Sequence, residues 1–506
     1  MKLGHSLLIN AEKYPQKTAV MVDGVERVYG ELNSRVNRLA NGLMGLGLKR
    51  GDRIGILSQN SVAWIESLYA IFKMGATAVL INFRLKDDAI LEDLKRTDLS
   101  ALLFSDEHLP LVRRYLAGPC GDIHAVVLGQ EETGGIMSTE GLISASSGTE
   151  PEVEVRPEDP AVIIFTGGTT GLPKGAVCTH RMLIWTTFNC MTAYETPRTD
   201  HVMLHPFPLF HSSGIFRLTS YICAGATYLT MSRFDAEKCL EWIEQYSVTS
   251  FIGSSAIFLP MHDVKAKQSV DTGSVRNCIA TFAFMDREGR RRLKELFPNA
   301  DLYEGYGSTE AGPVSALGPS QKPRERGSVG KPSIFTRIRI VDDQDRPLPP
   351  GKTGEIVVSG PHVATGYFNN KEETEAAFRD GWFYTGDIGK LDEDGFLYMV
   401  DRKKDMIKTG GENVYSREVE EVILRHPAVE EAAVIGVPHE RWGETIRAII
   451  VSKKGMEINE QEIIDFCKDR MAGYKKPTSV VFVESIPKTE TGGKVSKWRL
   501  KEKYGR

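Results

Sequence analysis

The sequence lacks the features that mark membrane proteins, disulfide-rich secreted proteins and nucleic-acid binders. Its 7 cysteines include no C-x-x-C pair, so they indicate scattered thiols in a reducing compartment rather than a disulfide framework or a zinc site. No apolar run is long enough to span a bilayer, and residues 7–9 are too few for the core of a signal peptide. The formal net charge of −4 argues against a general nucleic-acid binder, which is usually basic. We therefore expect a cytoplasmic protein with no transmembrane segment and no nucleic-acid partner.

The composition is that of an ordinary globular protein, with 41% hydrophobic and 26% charged residues among 506. Residues 3–150 alternate amphipathic helices with short apolar strands, including a helix at 29–44 and strands at 53–57 and 76–81. Such alternation is typical of parallel sheets covered by helices. Residues 129–158 are rich in Gly, Ser, Thr, Glu and Pro, which predicts a surface connection. The predicted fold class is α/β.

A Gly- and Thr-rich stretch follows the apolar run 161–165, which itself predicts a buried strand. Glycines let backbone N–H groups surround an anion, threonine hydroxyls add neutral donors, and a lysine adds a positive charge. The residues concerned are Thr166, Gly167, Gly168, Thr169, Thr170, Gly171 and Lys174. Together they predict a polyphosphate site.

The P-loop of nucleotide hydrolases is the obvious alternative for this stretch. Its pattern, G-x-x-x-x-G-K-[ST], started at Gly168, needs Gly at position 173 and Ser or Thr at position 175. The chain has Pro173 and Gly175. Because no hydroxyl stands beside the lysine to hold magnesium, the sequence argues against a Walker motif.

Further segments carry side chains suited to a nucleotide site. They are residues 204–214 with His211; residues 303–310 with Glu304, Tyr306, Gly307, Thr309 and Glu310; residues 381–389 with Asp387; residues 401–414 with Arg402, Lys404, Lys408, Gly410 and Gly411; and residues 486–495 with Lys494.

These segments together resemble the AMP-forming adenylate-forming superfamily, which includes acyl-CoA synthetases, adenylation domains of peptide synthetases and luciferases. The matching patterns are the Gly/Thr-rich loop, Pro-Leu-Phe-His, Tyr-Gly-x-Thr-Glu, Thr-Gly-Asp and a terminal Pro-Lys-Thr ending in Gly-Lys. They follow the family's order along nearly the whole chain, with Gly167 in place of a hydroxyl and one extra glycine before Lys494. The resemblance is closest to fatty-acyl-CoA ligases.

The resemblance implies a two-domain fold. A large N-terminal domain of β/α subdomains, residues 1–403, would bind the acid and ATP. A small, mobile α/β C-terminal domain, residues 404–506, would carry a catalytic lysine, with the hinge near Lys404. Within that domain, residues 415–425 predict a helix, and Asn459 predicts the N-cap of another.

The resemblance also implies which residues bind ATP and AMP. They are Thr166, Gly167, Gly168, Thr169, Thr170, Gly171, Lys174, Ala283, Glu304, Tyr306, Gly307, Thr309, Asp387, Arg402 and Lys494. Asp387 can accept hydrogen bonds from both ribose hydroxyls, as aspartates do in other nucleotide sites. Glu310, together with Thr166, would hold Mg²⁺, which prefers few protein ligands plus phosphate oxygens.

The implied catalytic residues are those that neutralise charge at the α-phosphate and orient the carboxylate. They are Lys494, Lys174, His211, Thr309 and Glu310. Lys488 and Lys497 are the alternatives to Lys494 if the extra glycine shifts the terminal loop.

Two further groups would bind the acyl and CoA moieties. His211, Phe282, Phe284 and Met285 would line the acyl pocket, where the family usually has smaller residues than these phenylalanines. Lys408, Gly410 and Gly411 would face CoA.

The expected reaction is ATP-dependent ligation of a carboxylic acid to CoA through an acyl-adenylate, with Mg²⁺ as cofactor. The apolar pocket favours a medium- or long-chain fatty acid. Alternatives are an aryl or cyclic acid, a stand-alone enzyme that loads a carrier protein, and a non-catalytic nucleotide-binding relative. The chain ends without a following carrier domain, which favours free CoA, and it is compatible with a homodimer.

Overall fold

The computed structural model has the predicted α/β fold class. It describes residues 3–119, 122–129, 132, 134–166, 173–280, 287–321, 327–488 and 495–505.

The chain divides into a large and a small compact unit. The larger unit comprises Met1–Lys322, Val329–Arg337 and Val358–Phe383, and the smaller comprises Pro323–Ser328, Ile338–Val357 and Tyr384–Arg506. The predicted domain boundary and hinge at Lys404 remain predictions.

One sheet of the larger unit has six strands in the order β6-β5-β3-β4-β7-β8. Its strands are β3 (Arg53–Leu57), β4 (Thr77–Leu80), β5 (Ala101–Phe104), β6 (His124–Val127), β7 (Pro160–Thr166) and β8 (Lys174–Thr179). The first five are parallel, and β8 returns antiparallel to β7. The strands predicted at 53–57, 76–81 and 161–165 are therefore confirmed. These runs are apolar throughout because helices cover both faces of a parallel sheet.

A second sheet of the larger unit has nine strands in the order β15-β14-β13-β12-β11-β9-β10-β1-β2. Its strands are β1 (Thr18–Val22), β2 (Val25–Val28), β9 (Val202–His205), β10 (Thr227–Thr230), β11 (Ser250–Gly253), β12 (Asn277–Ala280), β13 (Asp301–Ser308), β14 (Gly312–Leu317) and β15 (Lys331–Pro332). The run from β13 to β1 is parallel, with antiparallel pairs at both margins.

The larger unit also contains helices, most of which bury apolar side chains. They are α1 (Leu3–Lys13), α2 (Tyr29–Gly45), α3 (Val62–Met74), α4 (Asp87–Arg96), a short 3-10 helix (Asp106–His108), α5 (Leu109–Leu116), α6 (Thr139–Ala145), α7 (His180–Ala193), α8 (Ser212–Ala224), α9 (Ala236–Gln245), α10 (Ser255–Lys265), α11 (Arg287–Leu296) and α12 (Lys371–Ala377). In α2 the predicted stripe Leu32, Val36, Leu39 and Leu43 is buried.

A third sheet has five strands in the order β16-β17-β19-β18, with β20 paired to β19. Its strands are β16 (Arg337–Val341), β17 (Gly354–Ser359), β18 (Phe378–Arg379), β19 (Trp382–Leu391) and β20 (Leu397–Arg402).

The smaller unit contains a fourth sheet, ordered β22-β21-β24-β23, with β25 beside β24. Its elements are β21 (Ile407–Thr409), β22 (Glu412–Val414), α13 (Ser416–Ile423), β23 (Val429–His439), β24 (Gly443–Ser452), α14 (Glu460–Lys468), β25 (Ser479–Phe482) and α15 (Lys497–Tyr504). The Asn459 side chain accepts a hydrogen bond from the Glu462 amide, which confirms the predicted N-cap.

The prediction of a surface connection at 129–158 was wrong in part. The segment contains α6, whose N-cap Ser138 accepts a hydrogen bond from the Gly141 amide. It is also anchored, because the Lys73 ammonium is buried and donates to Glu150 Oε2 at 2.6 Å. The polar composition thus reflects a capped helix and an ion pair as well as solvent exposure.

No helix in the described part of the chain is both long and apolar enough to cross a membrane.

Replacing Glu150 by Gln should destabilise the larger unit. The buried Lys73 ammonium would keep Asn33 and Asn37 as partners but lose its counter-charge. We expect the free energy of unfolding to fall by about 2 kcal/mol, less than for a fully buried pair because Glu150 is partly exposed. Urea unfolding would measure it, with exposed Glu152→Gln as the matched control. Equal stability of the two variants would contradict the anchoring role.

Candidate functional site

The predicted phosphate loop connects two strands. Thr166, at the end of β7, pairs with Lys174, at the start of β8, and Thr166 Oγ1 donates to the Lys174 carbonyl at 3.2 Å. A P-loop leads from a strand into a helix, whereas this loop returns as an antiparallel strand. The geometry therefore agrees with the argument against a Walker motif. The loop residues 167–171 lie outside the described residues.

Lys174 extends from β8 to a carboxylate and an aromatic ring. Its Nζ donates to Glu373 Oε2 at 2.5 Å and lies 5.3 Å from the centroid of the Tyr367 ring. Glu373 lies in the first turn of α12, which Asn370 caps. The lysine is thus held in place by an ion pair and a cation–π contact.

Tyr367 links Lys174 to the predicted metal ligand. The Tyr367 hydroxyl donates to Glu310 Oε1 at 2.9 Å. Burial, and next the Glu310 charge, raise the pKa of Tyr367 well above its usual range, so the phenol stays a neutral donor. One such bond leaves Glu310 acceptor capacity, because a carboxylate offers about four lone-pair positions.

Thr309 and Glu310 occupy a tight turn between β13 and β14. Ser308 pairs with Gly312, so Thr309 to Ala311 form the connection. Gly312 has φ +57°, a conformation that favours glycine at the end of a three-residue hairpin. The turn presents the Thr309 hydroxyl, which donates to Ser212 Oγ at 3.1 Å.

His211 is the N-cap residue of α8 and immediately precedes Ser212, the residue to which Thr309 donates its hydrogen bond. Its ring packs 4.1 Å from the Phe210 ring, measured between centroids. Burial, and next the positive charge of Arg84, lower the pKa of His211 to about 4. The imidazole is therefore neutral at physiological pH and can orient a ligand by hydrogen bonding.

The residues of β13 that are predicted to bind the nucleotide differ in the contacts that they make. Glu304 is buried and pairs with Arg290 of α11, Nη2 to Oε2 at 2.6 Å. A Cβ at Gly307 would lie 2.2 Å from the Gly312 carbonyl oxygen, so only glycine fits there. Tyr306 lies between them on the strand and pairs with Ser315 of β14.

The larger unit therefore brings together Thr166 and Lys174 on one hairpin, and Thr309, Glu310 and His211 around another. Two side chains that hold them, Tyr367 and Glu373, were missed from the sequence. The pattern Asn370-x-x-Glu373 indicated a helix start, but nothing in the sequence indicated that Glu373 would meet Lys174.

In the smaller unit, Asp387 and Arg402 face each other across β19 and β20. Arg402 Nε lies 3.7 Å from Asp387 Oδ1, and the Asp387 amide donates to Thr385 Oγ1 at 3.1 Å. The next residue, Lys403, forms a shorter ion pair with Glu355, at 2.7 Å. The two predicted ribose and phosphate ligands are thus neighbours.

The predicted CoA residues lie on a hairpin of the smaller unit. Gly410 and Gly411, with φ +58° and +85°, form the two-residue turn between β21 and β22, which requires positive φ at both positions. The Gly410 amide donates to the Trp442 carbonyl at 2.9 Å. A Cβ at Gly410 would lie 3.0 Å from the partly exposed Trp442 ring, which sequence reasoning missed. Lys408 is on β21, and its amide donates to Glu444.

Both alternatives to the predicted catalytic lysine are ion-paired within the smaller unit. Lys488 pairs with Glu431 at 2.8 Å, and the largely buried Lys497 pairs with Glu420 at 2.7 Å. These pairs give both lysines structural roles. Lys494 itself lies outside the described residues.

The predicted acyl-pocket residues Phe282, Phe284 and Met285, and the predicted adenine contact Ala283, also lie outside the described residues.

The described residues contain no cluster of three or more His, Cys, Asp or Glu side chains able to hold a metal ion. Glu310 offers a single carboxylate, which suits Mg²⁺ brought by a nucleotide, because that ion takes most ligands from phosphate and water.

Comparison with known proteins covers nearly the whole chain. A family model described as "AMP-binding enzyme" matches residues 7–368, and one described as "AMP-binding enzyme C-terminal domain" matches residues 418–493. The feruloyl-CoA synthase of Amycolatopsis sp is 35% identical over 505 residues, or 99% of each chain.

Two further relatives differ in the acid that they are named for. The long-chain-fatty-acid–CoA ligase FadD13 of Mycobacterium tuberculosis is 35% identical over 485 residues, 95% of this chain and 93% of that one. The solved structure of o-succinylbenzoate coenzyme A synthetase (MenE) from Bacillus subtilis, in complex with ATP and magnesium ion, matches with TM-score 0.84 and 28% identity. It covers 97% of this chain and 98% of its own.

Replacing His211 by Gln should make the protein less sensitive to acid. An unfolded histidine takes up a proton below about pH 6.5, whereas native His211 does so only near its lowered pKa of about 4. Stability is therefore lost as pH falls from about 6.5 towards 4. At pH 5 this linkage should cost the wild type about 2 kcal/mol that the variant does not lose. Urea unfolding at pH 7.5 and 5 would measure the difference, and an equal loss in both proteins would contradict a neutral buried His211.

Proposed function

The chain belongs to the AMP-binding enzyme family of acid–thiol ligases, the ATP-dependent acyl- and aryl-CoA ligases, and on that premise we propose which residues perform each part of the reaction. The single observation that carries the proposal is the contact chain from Lys174 through Tyr367 to Glu310. It joins the hairpin of the phosphate loop to the turn that holds Thr309. Charge-neutralising groups thus lie in one part of the larger unit.

We propose that the Lys174 ammonium and the Thr309 hydroxyl stabilise the α-phosphate while a carboxylate oxygen attacks it and pyrophosphate leaves. Donors that are held in position before the reaction stabilise developing negative charge without a cost of reorganisation. Lys174 is held by Glu373, and Thr309 by the turn and Ser212. Glu373 would release the lysine as the phosphates arrive, because both compete for the same ammonium.

Glu310, with Thr166, is the proposed ligand of Mg²⁺, which when bound would neutralise phosphate charge. Tyr367 would orient the Glu310 carboxylate through its hydrogen bond. His211, neutral at physiological pH, would hold the acid carboxylate by a hydrogen bond without adding a charge that competes with the metal.

The remaining nucleotide and thiol contacts are proposed for residues of the smaller unit. Asp387 and Arg402 would bind ribose and phosphate, and the turn of Gly410 and Gly411 would leave room for the CoA arm beside Lys408. Lys494 would stabilise charge during adenylate formation. Lys404 is the proposed hinge, because Lys494 and the glycine turn act in different half-reactions.

A medium- or long-chain fatty acid is the acid proposed from the apolar residues 282–285. An aryl acid is the second candidate, and its support is the similarity to feruloyl-CoA synthase over the whole chain. Loading of a carrier protein, a homodimer and a cytoplasmic location remain predictions.

The ligase activity can be tested by mass spectrometry of products formed from a panel of carboxylic acids with ATP, Mg²⁺ and CoA, and again without CoA. We expect acyl-CoA and AMP in the first set, and pyrophosphate with acyl-adenylate in the second.

Glu310→Gln should lower pyrophosphate release by at least about 100-fold, since it removes a metal-binding charge. Adenylate without acyl-CoA would favour a carrier-protein partner, and no ATP cleavage with any acid would contradict the ligase.

Replacing Lys494 by Ala should separate the two half-reactions. Adenylate formation should fall by about 1,000-fold, as when a transition-state donor is lost. Thioester formation from a supplied acyl-adenylate should change little. Lys488→Ala is the matched control, because that lysine is paired with Glu431 and should lose neither activity. Equal losses in both half-reactions of Lys494→Ala would refute the assignment.

A further inference from the structure

A polar stripe runs along the buried face of α8, immediately after His211. Ser213, Arg217 and Tyr221 are spaced four residues apart, so they lie on one face of the helix. Arg217 is only 4% exposed, and its guanidinium lies 4.5 Å from the centroid of the Tyr194 ring. Opposite the helix, the rings of His205 and Tyr228 stack at 5.7 Å between centroids. We call Arg217, His205, Tyr194, Tyr221 and Tyr228 the Arg217 cluster.

Among the described residues, the groups that act on the Arg217 charge are Cys190, Tyr194 and Tyr221, of which Tyr194 is also hydrogen-bonded to it, and none of them is a carboxylate. Burial raises the pKa of Tyr194 and of Tyr221 to about 12, so both phenols are neutral. Burial, and next the Arg217 charge, lower the pKa of His205 to about 3, so that ring is neutral as well. The cluster therefore carries one uncompensated positive charge in the interior.

Three polar atoms of the cluster have no hydrogen-bond partner among the described residues, although all are fully enclosed. They are Arg217 Nη1, the Tyr228 hydroxyl and His205 Nδ1. The first two are donors whatever the tautomer of the histidine ring. The Tyr221 hydroxyl, in contrast, is bonded to Thr196 Oγ1 at 2.5 Å. Burying an unpaired charge is expensive, so native structures usually provide it with a counter-ion or with hydrogen bonds.

The Arg217 cluster adjoins the proposed active site on two sides. Ser213 Oγ lies 3.4 Å from His205 Nε2, and the preceding Ser212 is bonded to Thr309. A Cβ at Gly305, on β13, would lie 2.3 Å from the Tyr194 hydroxyl oxygen. The cluster thus lies close to the hydrogen bond between Thr309 and Ser212 and next to the strand that carries Glu304 and Tyr306.

We propose that the Arg217 cluster binds the far end of the acid substrate, and that this end carries a second carboxylate. This inference rests on the proposed ligase function. His211 would hold the reacting carboxylate at the start of α8, and Arg217 lies on the same helix six residues further on. A carboxylate supplies the missing negative charge and accepts from both Arg217 and Tyr228, whereas a methyl group leaves both donors unpaired.

The enzyme should discriminate strongly, in kcat/KM, between an acid that ends in a carboxylate and one that ends in a methyl group. A site built to hydrogen-bond a polar group rejects an analogue that lacks it far more strongly than an apolar pocket distinguishes one methylene. The Arg217 cluster would therefore favour a dicarboxylic acid over a monocarboxylic fatty or aryl acid of the same length. Among fatty acids, the preferred substrate would then be one that carries a second carboxylate at its far end.

The experiment compares acyl-CoA formation from pairs of acids matched in length, one ending in carboxylate and one in methyl. Suitable pairs are adipate with hexanoate, suberate with octanoate, and terephthalate with p-toluate. We expect the wild type to prefer the carboxylate member of at least one pair by about tenfold or more in kcat/KM. Arg217→Met should abolish that preference by lowering kcat/KM for the carboxylate member by about tenfold or more relative to the methyl member.

Arg198→Met is the matched control, because Arg198 is an exposed arginine of the same unit, and it should leave every ratio unchanged. If Arg217→Met does not fold, Tyr228→Phe removes one donor without changing charge and should lower the same preference several-fold. Thermal unfolding of each variant checks the fold.

The outcomes distinguish the subsite from the ligase itself. Acyl-CoA formed only from methyl members, or equal effects of Arg217→Met on both members, would overturn the subsite and leave the ligase standing. Such a result would indicate that buried water satisfies Arg217. Failure of every acid, with no AMP formed, would overturn both proposals.

Discussion

The hydrogen bond from the Tyr367 hydroxyl to Glu310 Oε1, 2.9 Å long, is the contact on which the arrangement of the larger unit's site depends. The ring of the same tyrosine lies 5.3 Å from Lys174 Nζ. One side chain therefore contacts both the Lys174 ammonium and the Glu310 carboxylate, while the ammonium forms its ion pair with Glu373. In the proposed function, this arrangement leaves Glu310 to bind the metal ion and Lys174 to bind phosphate once Glu373 releases it.

Burial controls the charge state of the groups around that contact. Tyr367 stays protonated because desolvation and the neighbouring carboxylate oppose ionisation, and His211 stays neutral because desolvation and Arg84 oppose protonation. Both side chains therefore stay uncharged and act through hydrogen bonds alone. The charged side chains in this part of the molecule include Lys174, Glu310, Glu373 and Arg84. Under the proposed function, phosphate binding would change the balance among the first three.

Arg217 differs from the neutral side chains of Tyr367 and His211, because it is charged and enclosed and because no carboxylate acts on it among the described residues. A hydrophobic residue of similar volume would often be neutral or stabilising in such a place. An arginine one and a half helical turns beyond His211 is physically reasonable if a ligand supplies the counter-charge and the hydrogen-bond acceptor that it lacks. A substrate carboxylate would then contribute both binding energy and discrimination, and the cost of desolvating Arg217 would be offset only with the correct acid.

The sequence by itself determined the α/β class, most strand and helix positions in the parallel sheets, and the motif residues Lys174, Glu310 and Asp387. It did so because hydrophobic periodicity, glycine at positive φ and short polar motifs are local properties of the chain. Only the tertiary structure showed that Glu373 meets Lys174, 199 positions earlier, that Tyr367 links Lys174 to Glu310, and that Glu150 anchors a supposed surface connection. Likewise, the spacing of Ser213, Arg217 and Tyr221 predicts one helix face, but the sequence does not show that no described carboxylate acts on Arg217. Contacts between residues distant in sequence depend on how sheets and helices pack, and no local pattern encodes them.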